Sequence, residues 1–256
     1  MITNPIGTAS LAKREIYRFL SVSTQTIFPP ILTSTLFMFI FGVAIGNRID
    51  FPSTGLTYFN FIVPGLMTMH LISTSYENTS FSLFLGRWHN HIQEILLSPL
   101  SYFEMVLGLL AGGVMRGVVV CTGIYLVSLM FGNTPALHPI VLLYFMLMIS
   151  VIFSCVGMIA ALWAEDFNML NMWNIYLILP FVLLGGVFHP IHLLPNIVQE
   201  ISKFNPMFYL IQGIRYSVTG VSDISMVISA IISLVMASFF FFFTVYLFKI
   251  GYKLRT

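Results

Sequence analysis

The chain has 256 residues, 58% of them hydrophobic and only 8% charged, with a formal net charge of +2 at pH 7. Soluble domains carry about 25% charged residues. With a mean hydropathy of +0.94, the composition argues against a water-soluble globular fold, a disordered chain, a coiled coil, a secreted disulfide scaffold and a nucleic-acid binder. Cys121 and Cys155 both lie in apolar stretches and suggest no disulfide framework.

In chain order, residues 8–22 predict an amphipathic helix lying along the membrane surface. Ala12, Ile16, Phe19 and Leu20 share one face, and Lys13, Arg14 and Arg18 can reach lipid phosphates. The plainer reading is a basic flank that only sets topology. Pro29 and Pro30 end that helix and open the first span, where missing N–H groups cost least.

Residues 19–47, 51–76, 117–164, 167–199 and 224–248 carry no Asp, Glu, Lys or Arg. A long apolar run of this kind reads as a transmembrane helix, because lipid offers the backbone no hydrogen-bond partners. The predicted spans are 28–46, 58–85, 102–131, 139–163, 172–189 and 226–248. Breakers separate them: Pro52 and Gly55 in the loop 47–57, Gly132 to Pro135 inside the long third run, and Glu165-Asp166 after the fourth span. The first span is too long, and its basic residues too far back, for a cleaved signal peptide.

Between the second and third spans, residues 87–98 predict a short amphipathic helix. Trp88, Ile92, Ile95 and Leu96 form one stripe; Arg87, His91 and Glu94 form another; Pro99 closes the segment. Such a helix can dock a cytoplasmic partner, whereas a bare turn needs fewer residues. Residues 190–216 are too broken by Pro190, Pro195 and Pro206 to span and too apolar for an ordinary loop, so re-entrant or interfacial half-helices are expected there. Phe239 to Phe243 in the last span reads as a lipid-facing and packing surface.

Orientation follows from Lys and Arg. With the N-terminus inside, Lys13, Arg14, Arg18, Arg87, Lys249, Lys253 and Arg255 are cytoplasmic, against Arg48, Lys203 and Arg215 outside. An even number of spans places both termini in the cytoplasm.

Arg116 lies mid-span among Gly112, Gly113 and Gly117, where an uncompensated charge costs several kcal/mol. Glu77 is its natural counter-ion, although counting 1.5 Å per residue from the predicted span ends leaves the two offset by about 9 Å. They read either as a polar element of a transport path or as a structural ion pair. Glu104 sits at a span start and reads as interfacial, and His70 as a core histidine. His89/His91 and His189/His192 lack the Cys or carboxylate partners that complete a metal site.

The four lysines follow Ala12, Ser202, Phe248 and Tyr252, so a Gly-Lys phosphate loop is absent. There is also no His-Glu-x-x-His or Gly-x-Ser-x-Gly motif. A pump built on this chain therefore draws on a partner ATPase or on an ion gradient.

Several pieces then fall in a telling order: the basic N-terminal helix, Phe61-Ile62-Val63-Pro64-Gly65, Glu94-Ile95-Leu96-Leu97-Ser98-Pro99, Gly113 with Arg116-Gly117, Gly185-Gly186-Val187-Phe188, Leu194-Pro195, Asn205-Pro206, Tyr209, Gly213 and Arg215-Tyr216. In this order and spacing the chain resembles, over nearly its whole length, the membrane subunit of ABC-2 type transporters. The resemblance implies an all-α membrane protein: one domain over 1–256 with six transmembrane helices, an N-terminal interfacial helix, a coupling helix at 87–98 and re-entrant helices at 190–216.

The resemblance also implies a permease that is not itself an enzyme. It would dimerise with a second copy of itself, sit among membrane lipids of the bacterial inner membrane, and recruit two copies of a cytoplasmic ATP-binding cassette subunit. ATP and Mg would be bound by that partner, with no cofactor in this chain. Arg87, Trp88, His91 and Glu94 fall on the coupling helix, and Pro195, Asn205, Pro206 and Arg215 on the external segment. The helix at 8–22 would also face the ATPase. The short loop 47–57 leaves no room for the external domain of some members, which points to the compact drug-, lipooligosaccharide- and polysaccharide-export types. Glu77 belongs to no family pattern. The expected activity is export of an amphipathic or lipid-linked substrate by alternating access, along a path at the dimer interface. The alternatives are an ion-coupled secondary transporter using Arg116, Glu77 and His70, for which no inverted repeat is visible, and a scaffold that transports nothing.

Overall fold

The computed structural model describes residues 4–45, 56–132, 135–191 and 194–254, and every regular element among them is helical. α1 (Pro5–Ser21) starts where the Asn4 side chain accepts from the Gly7 N–H. A short α2 (Ser23–Thr26) leads into α3 (Phe28–Phe37), which carries its prolines in the first turn and runs on as a π-helical stretch, Met38–Ile45. α4 (Tyr58–Trp88), α5 (Ile92–Leu97), α6 (Tyr102–Phe131) and α7 (Pro139–Trp163) follow. α8 (Phe167–Met172), a π-helical stretch Trp173–Ile178 and α9 (Leu179–Leu184) run end to end. α10 (Asn196–Phe204), α11 (Pro206–Thr219) and α12 (Met226–Ile250) complete the fold, with Gly251 ending α12 in the left-handed region at φ 70°.

Five helical stretches among the described residues are long and apolar enough to cross a membrane: Ser23–Gly42, Tyr102–Phe131, Pro139–Trp163, Phe167–Leu184 and Met226–Ile250. The spans expected at 102–131 and 139–163 coincide with α6 and α7. The fifth lies earlier than expected, at 167–184 in place of 172–189, because Asp166 caps α8 through the Met169 N–H at 2.7 Å. α4, the expected second of six spans, is not in this set. It has the length, but Thr68, Thr74, Ser75, Asn78, Thr79 and Ser80 lower its hydropathy, and all six are buried. The end of the first span, most of the loop 47–57, the Asn133-Thr134 break, His192 and Arg255 lie outside the described residues.

α4 packs on α6, α7 and α11. The apolar core around it has two parts. One gathers the α4 residues Tyr58 to Tyr76 with Val120, Phe145, Ile149 and Ile211; the other gathers Leu83 and Phe84 with Leu11, Ile92, Met105, Met158 and Phe248. Between them runs a polar waist: Glu77, Asn78, Thr79 and Ser80 of α4, Arg116 of α6, and Ser150 and Ser154 of α7. Glycines let the three helices close on one another there. A Cβ on Gly113 would strike Ser154 and Thr79, one on Gly117 would strike Ser75 and Ser150, and one on Gly157 would meet the α4 backbone at the Tyr76 carbonyl and Ser80 nitrogen. Thr79 Oγ1 also donates to the Ser154 carbonyl at 2.8 Å.

The helix expected over 87–98 is shorter in the structure. α4 continues through Trp88, the chain reverses with Asn90 at φ 61°, and only Ile92–Leu97 forms α5. Arg87 explains the extension: its guanidinium donates to the Ala161 carbonyl at 2.5 Å, Leu162 at 3.2 Å and Ala164 at 3.3 Å, closing the C-terminal end of α7.

The waist generates a stability test. Gly157→Val forces a branched side chain against fixed α4 backbone, and overpacking of this kind costs about 1–3 kcal/mol. The variant is expected to melt earlier in mild detergent than the parent; an unchanged melting temperature would refute the close α4–α7 contact.

Candidate functional site

Two regions bring together the residues of chemical interest. The first is the face around α5. Ile92 and Ile95 are buried and fix α5 to the bundle. His91 and Glu94 stay exposed, 3.5 Å apart. Trp88 is 59% exposed, and its ring forms a cluster with Phe84 at 5.8 Å and Phe167 at 6.1 Å, which also touch each other at 4.7 Å. Clefts lie on both sides of α5. One of about 340 Å³ is lined by Arg87, Trp88, Gln93, Glu165 and Leu254; another of about 330 Å³ separates α5 from α1 and is lined by Leu11, Arg14, Glu94, Ile95 and Leu100. Trp88, His91 and Glu94 are thus all exposed, Trp88 at the first cleft and Glu94 at the second. Arg87 lines the first cleft beside Trp88, with its guanidinium spent on the end of α7.

α1 lies beside this surface and leans along α6. The Asn4 N–H donates to Glu104 Oε1 at 2.6 Å, Leu11 faces Gly108, and Glu15 faces Gly112. Glu104 is therefore no free interfacial charge: it also completes the Ser101 capping box of α6. The face of α1 turned to the protein is Leu11, Glu15 and Phe19, which is rotated from the expected Ala12, Ile16, Phe19, Leu20 stripe and leaves Leu20 exposed. A carboxylate is tolerated on the buried face because Glu15 accepts from Arg14 at 2.9 Å, Arg18 at 3.2 Å and Ser82 at 2.5 Å.

The second region is the waist. Arg116 Nη2 pairs with Glu77 Oε2 at 3.2 Å, and Arg116 Nε donates to the Thr26 carbonyl at 3.3 Å. The expected 9 Å offset shrinks because α4 ends at Trp88 and not at 85; recounting at 1.5 Å per residue leaves about 4–5 Å, within reach of a guanidinium. The Arg116 side chain is 9% exposed and that of Glu77 35%. Glu77 belongs to the one open strip of α4 between residues 61 and 84: Met69, His70, Ser73, Glu77, Phe81 and Ser82 are half-buried while their neighbours are buried. This strip lies between the stretches Ser23–Gly42 and Phe167–Leu184. Arg116 ties it to Thr26 on one side; on the other, Tyr76 donates to the Leu170 carbonyl and Phe81 stacks on Phe167.

The external-segment residues form a brace. Pro195 precedes α10. Asn205 caps α11 through the Met207 N–H at 2.9 Å and donates to the Phe181 carbonyl, and Pro206 occupies the first turn of α11. Arg215 is buried, donates to the Gly186 carbonyl at 2.7 Å and lies 3.9 Å from the centre of the Phe61 ring. Gly186 takes φ 85°, a turn that other residues adopt only with strain. Among the described residues, no three His, Cys, Asp or Glu side chains group as a metal site.

Sequence reasoning passed over Glu15, Asn78 and Ser82. A signal was present: Glu15 stands four residues from both Leu11 and Phe19, a carboxylate in the middle of an otherwise apolar row.

The Glu77–Arg116 pair can be weighed by a double-mutant cycle. Removing Glu77 alone (Glu77→Leu) strands a buried guanidinium and is expected to lower stability in detergent more than the Glu77→Leu/Arg116→Leu double change; with the Arg116→Leu single, the cycle is expected to give a coupling energy of about 0.5–3 kcal/mol. Additive losses would show that the two side chains do not interact.

Comparison with known proteins agrees with this architecture. Residues 7–219 match the ABC-2 type transporter family. The chain is 33% identical over 222 residues to the inner membrane transport permease YadH of Escherichia coli (strain K12), covering 87% of this chain and 86% of that one. It is 24% identical over 216 residues to nodulation protein J of Rhizobium leguminosarum bv. viciae (81% and 80% of the two chains) and 22% identical over 212 residues to that of Rhizobium meliloti (81% and 79%). These relatives are transport proteins by name where the name says so, and the apolar helices fit a multi-pass protein of the inner membrane. This chain belongs to the ABC-2 type transporter family, as a transport permease of an ABC transporter.

Proposed function

We propose that the chain forms a homodimeric export channel for an amphipathic or lipid-linked substrate, driven by two cytoplasmic ATP-binding cassette subunits that hold the ATP and Mg. The observation that carries the reading is the half-buried strip His70, Ser73 and Glu77 on an otherwise enclosed α4. Polar groups facing lipid are costly, so such a strip requires either a protein cover or water. A second copy placed over it supplies both, with a path lined by α4 and the stretch Phe167–Leu184 of each protomer, the second and fifth spans. The strip suits a substrate with a polar head, and the apolar helices on either side suit a lipid tail.

In this reading α4 is the second of six spans, both termini are cytoplasmic, and α10 and α11 re-enter the membrane from outside. The ATPase engages α5, whose apolar side is anchored by Ile92 and Ile95 while Trp88, His91 and Glu94 face outward. A short helix gripped in a partner's groove passes on displacement, and α5 follows α4 after a three-residue reversal. α1, across a cleft from α5, adds a second contact.

The test is purification of the tagged protein in mild detergent from cells expressing its native neighbours, with ATPase activity assayed on what accompanies it. A co-purifying ATPase is expected, lost when Glu94 is replaced by Arg and His91 by Ala. Trp88→Ala is expected to leave hydrolysis in place but uncouple it from transport. Arg87→Ala should act differently, by loosening α7 and lowering stability. A clean homo-oligomer with no ATPase would overturn the proposal and favour ion-coupled transport through Arg116 and Glu77.

A further inference from the structure

The contacts at the waist close into a ring that joins α1 to the intramembrane ion pair. Arg18 Nη2 donates to the Asn78 carbonyl at 2.9 Å and to Asn78 Oδ1 at 3.1 Å, while Arg18 Nε holds Glu15 Oε2 at 3.2 Å. Glu15, whose side chain is 1% exposed, accepts in turn from Ser82 on the next turn of α4. Asn78 is the neighbour of Glu77, which pairs with Arg116. Arg116 reaches the Thr26 carbonyl of α2, and Thr26 Oγ1 donates back to the Phe19 carbonyl of α1 at 2.9 Å. α1, α4, α6 and α2 thus form one polar circuit. Gly112 is where three of them meet: a Cβ there would lie 2.7 Å from Glu15 Cβ and 2.9 Å from Asn78 Nδ2.

A basic helix that merely floats on lipid has no use for this arrangement. Of the three basic residues in α1, Arg14 and Arg18 are turned onto Glu15, and Lys13 lies near the ring of Tyr17. Burying a carboxylate is expensive unless it is paired and hydrogen-bonded, and here the pairing fastens α1 to the side of α4 that adjoins Glu77. We propose that Glu15 and Arg18 are positioning residues of energy coupling: they make α1 and α4 move together, so that a push from the ATPase on α1 reaches the Glu77–Arg116 pair. This rests on the ATPase-driven reading above. It adds a second input beside α5, made through side-chain bonds across the interface and not through the chain connection.

Arginine is required at position 18, because its planar fork serves Glu15 and both Asn78 oxygens at once, whereas lysine keeps the charge as a single point. The measurement is made on the whole complex in lipid vesicles, with Met69→Cys as reporter on the outer half of α4. Cys121 and Cys155 are both buried, so fluorescent maleimide on this chain's own gel band reads Cys at 69. In the reporter parent, ATP with vanadate is expected to change the labelling rate. Adding Arg18→Lys, or Glu15→Gln in a separate variant, is expected to abolish that nucleotide-dependent change while the ATPase still co-purifies and hydrolyses ATP; Lys13→Gln should leave the change intact.

A response that persists in both variants would overturn the proposal by reducing the ring to a tether. Loss of the ATPase from both variants would also overturn it, assigning Glu15 and Arg18 to assembly. A parent with an ATPase but no nucleotide response would refute movement of α4. A parent that brings down no ATPase would refute the earlier reading itself, and is recognised because no variant is involved.

Discussion

A band of ionised and hydroxylated side chains crosses this bundle where lipid would offer it nothing, and the packing of the molecule follows from that. Glu77, Asn78, Thr79 and Ser80 on α4, with Arg116, Ser150 and Ser154 opposite, have to find partners within the protein. They do so because Gly113, Gly117 and Gly157 let backbones approach to where a hydroxyl or carbonyl is within reach. The apolar clusters above and below then close around α4 as they would in any bundle. Among the described residues, the hydroxyls of Ser75, Ser150 and Ser154 and the amide nitrogen of Asn78 are buried with no hydrogen bond to another protein group.

What was legible in the sequence divides along the same line. The expected limits of α6 and α7 match to the residue, because signals in the local sequence set them: Ser101 with Glu104 caps the start of α6, Gly132 follows its end, and Pro139 opens α7. α4 was harder. Its length was visible, but its end depends on Arg87 meeting the carbonyls of α7, a contact between residues more than 70 positions apart. The misplaced end of α4 produced both the overlong helix at 87–98 and the exaggerated gap between Glu77 and Arg116. Likewise, helical periodicity identified α1 as amphipathic and turned it onto the wrong face, since no hydropathy count assigns Glu15 to the interior.

The candidate site shows a related limit. His91 and Glu94 fall on the polar stripe of the expected amphipathic helix and Trp88 on its apolar stripe, and all three are exposed. Arg87 was grouped with them by its place on the same wheel, yet its geometry makes it a cap. Pro195, Asn205, Pro206 and Arg215 were recognisable only as members of a broken segment. Their roles as helix breaks, a cap and a buried stacked guanidinium need the turn at Gly186 and the ring of Phe61 to be in place. Residue type and spacing announce that a position is unusual; the neighbour that explains it usually comes from elsewhere in the chain.

α4 has contacts at every level of the molecule. At its C-terminal end it leads into α5, and in the adjoining half Ser82 and Asn78 hold α1. At the waist Glu77 holds Arg116. In its N-terminal half Gly65 sits against the Val187 backbone, Tyr58 donates to the Phe188 carbonyl and Phe61 supports Arg215. The turn at Val187 and Phe188 is therefore bonded to the same helix that leads into α5. Packed interiors resist compression and pass strain on to their neighbours. A displacement at one end of α4 therefore strains the Gly185-Gly186 turn at the other, because Gly65, Tyr58 and Phe61 all bear on that turn or on the arginine that braces it.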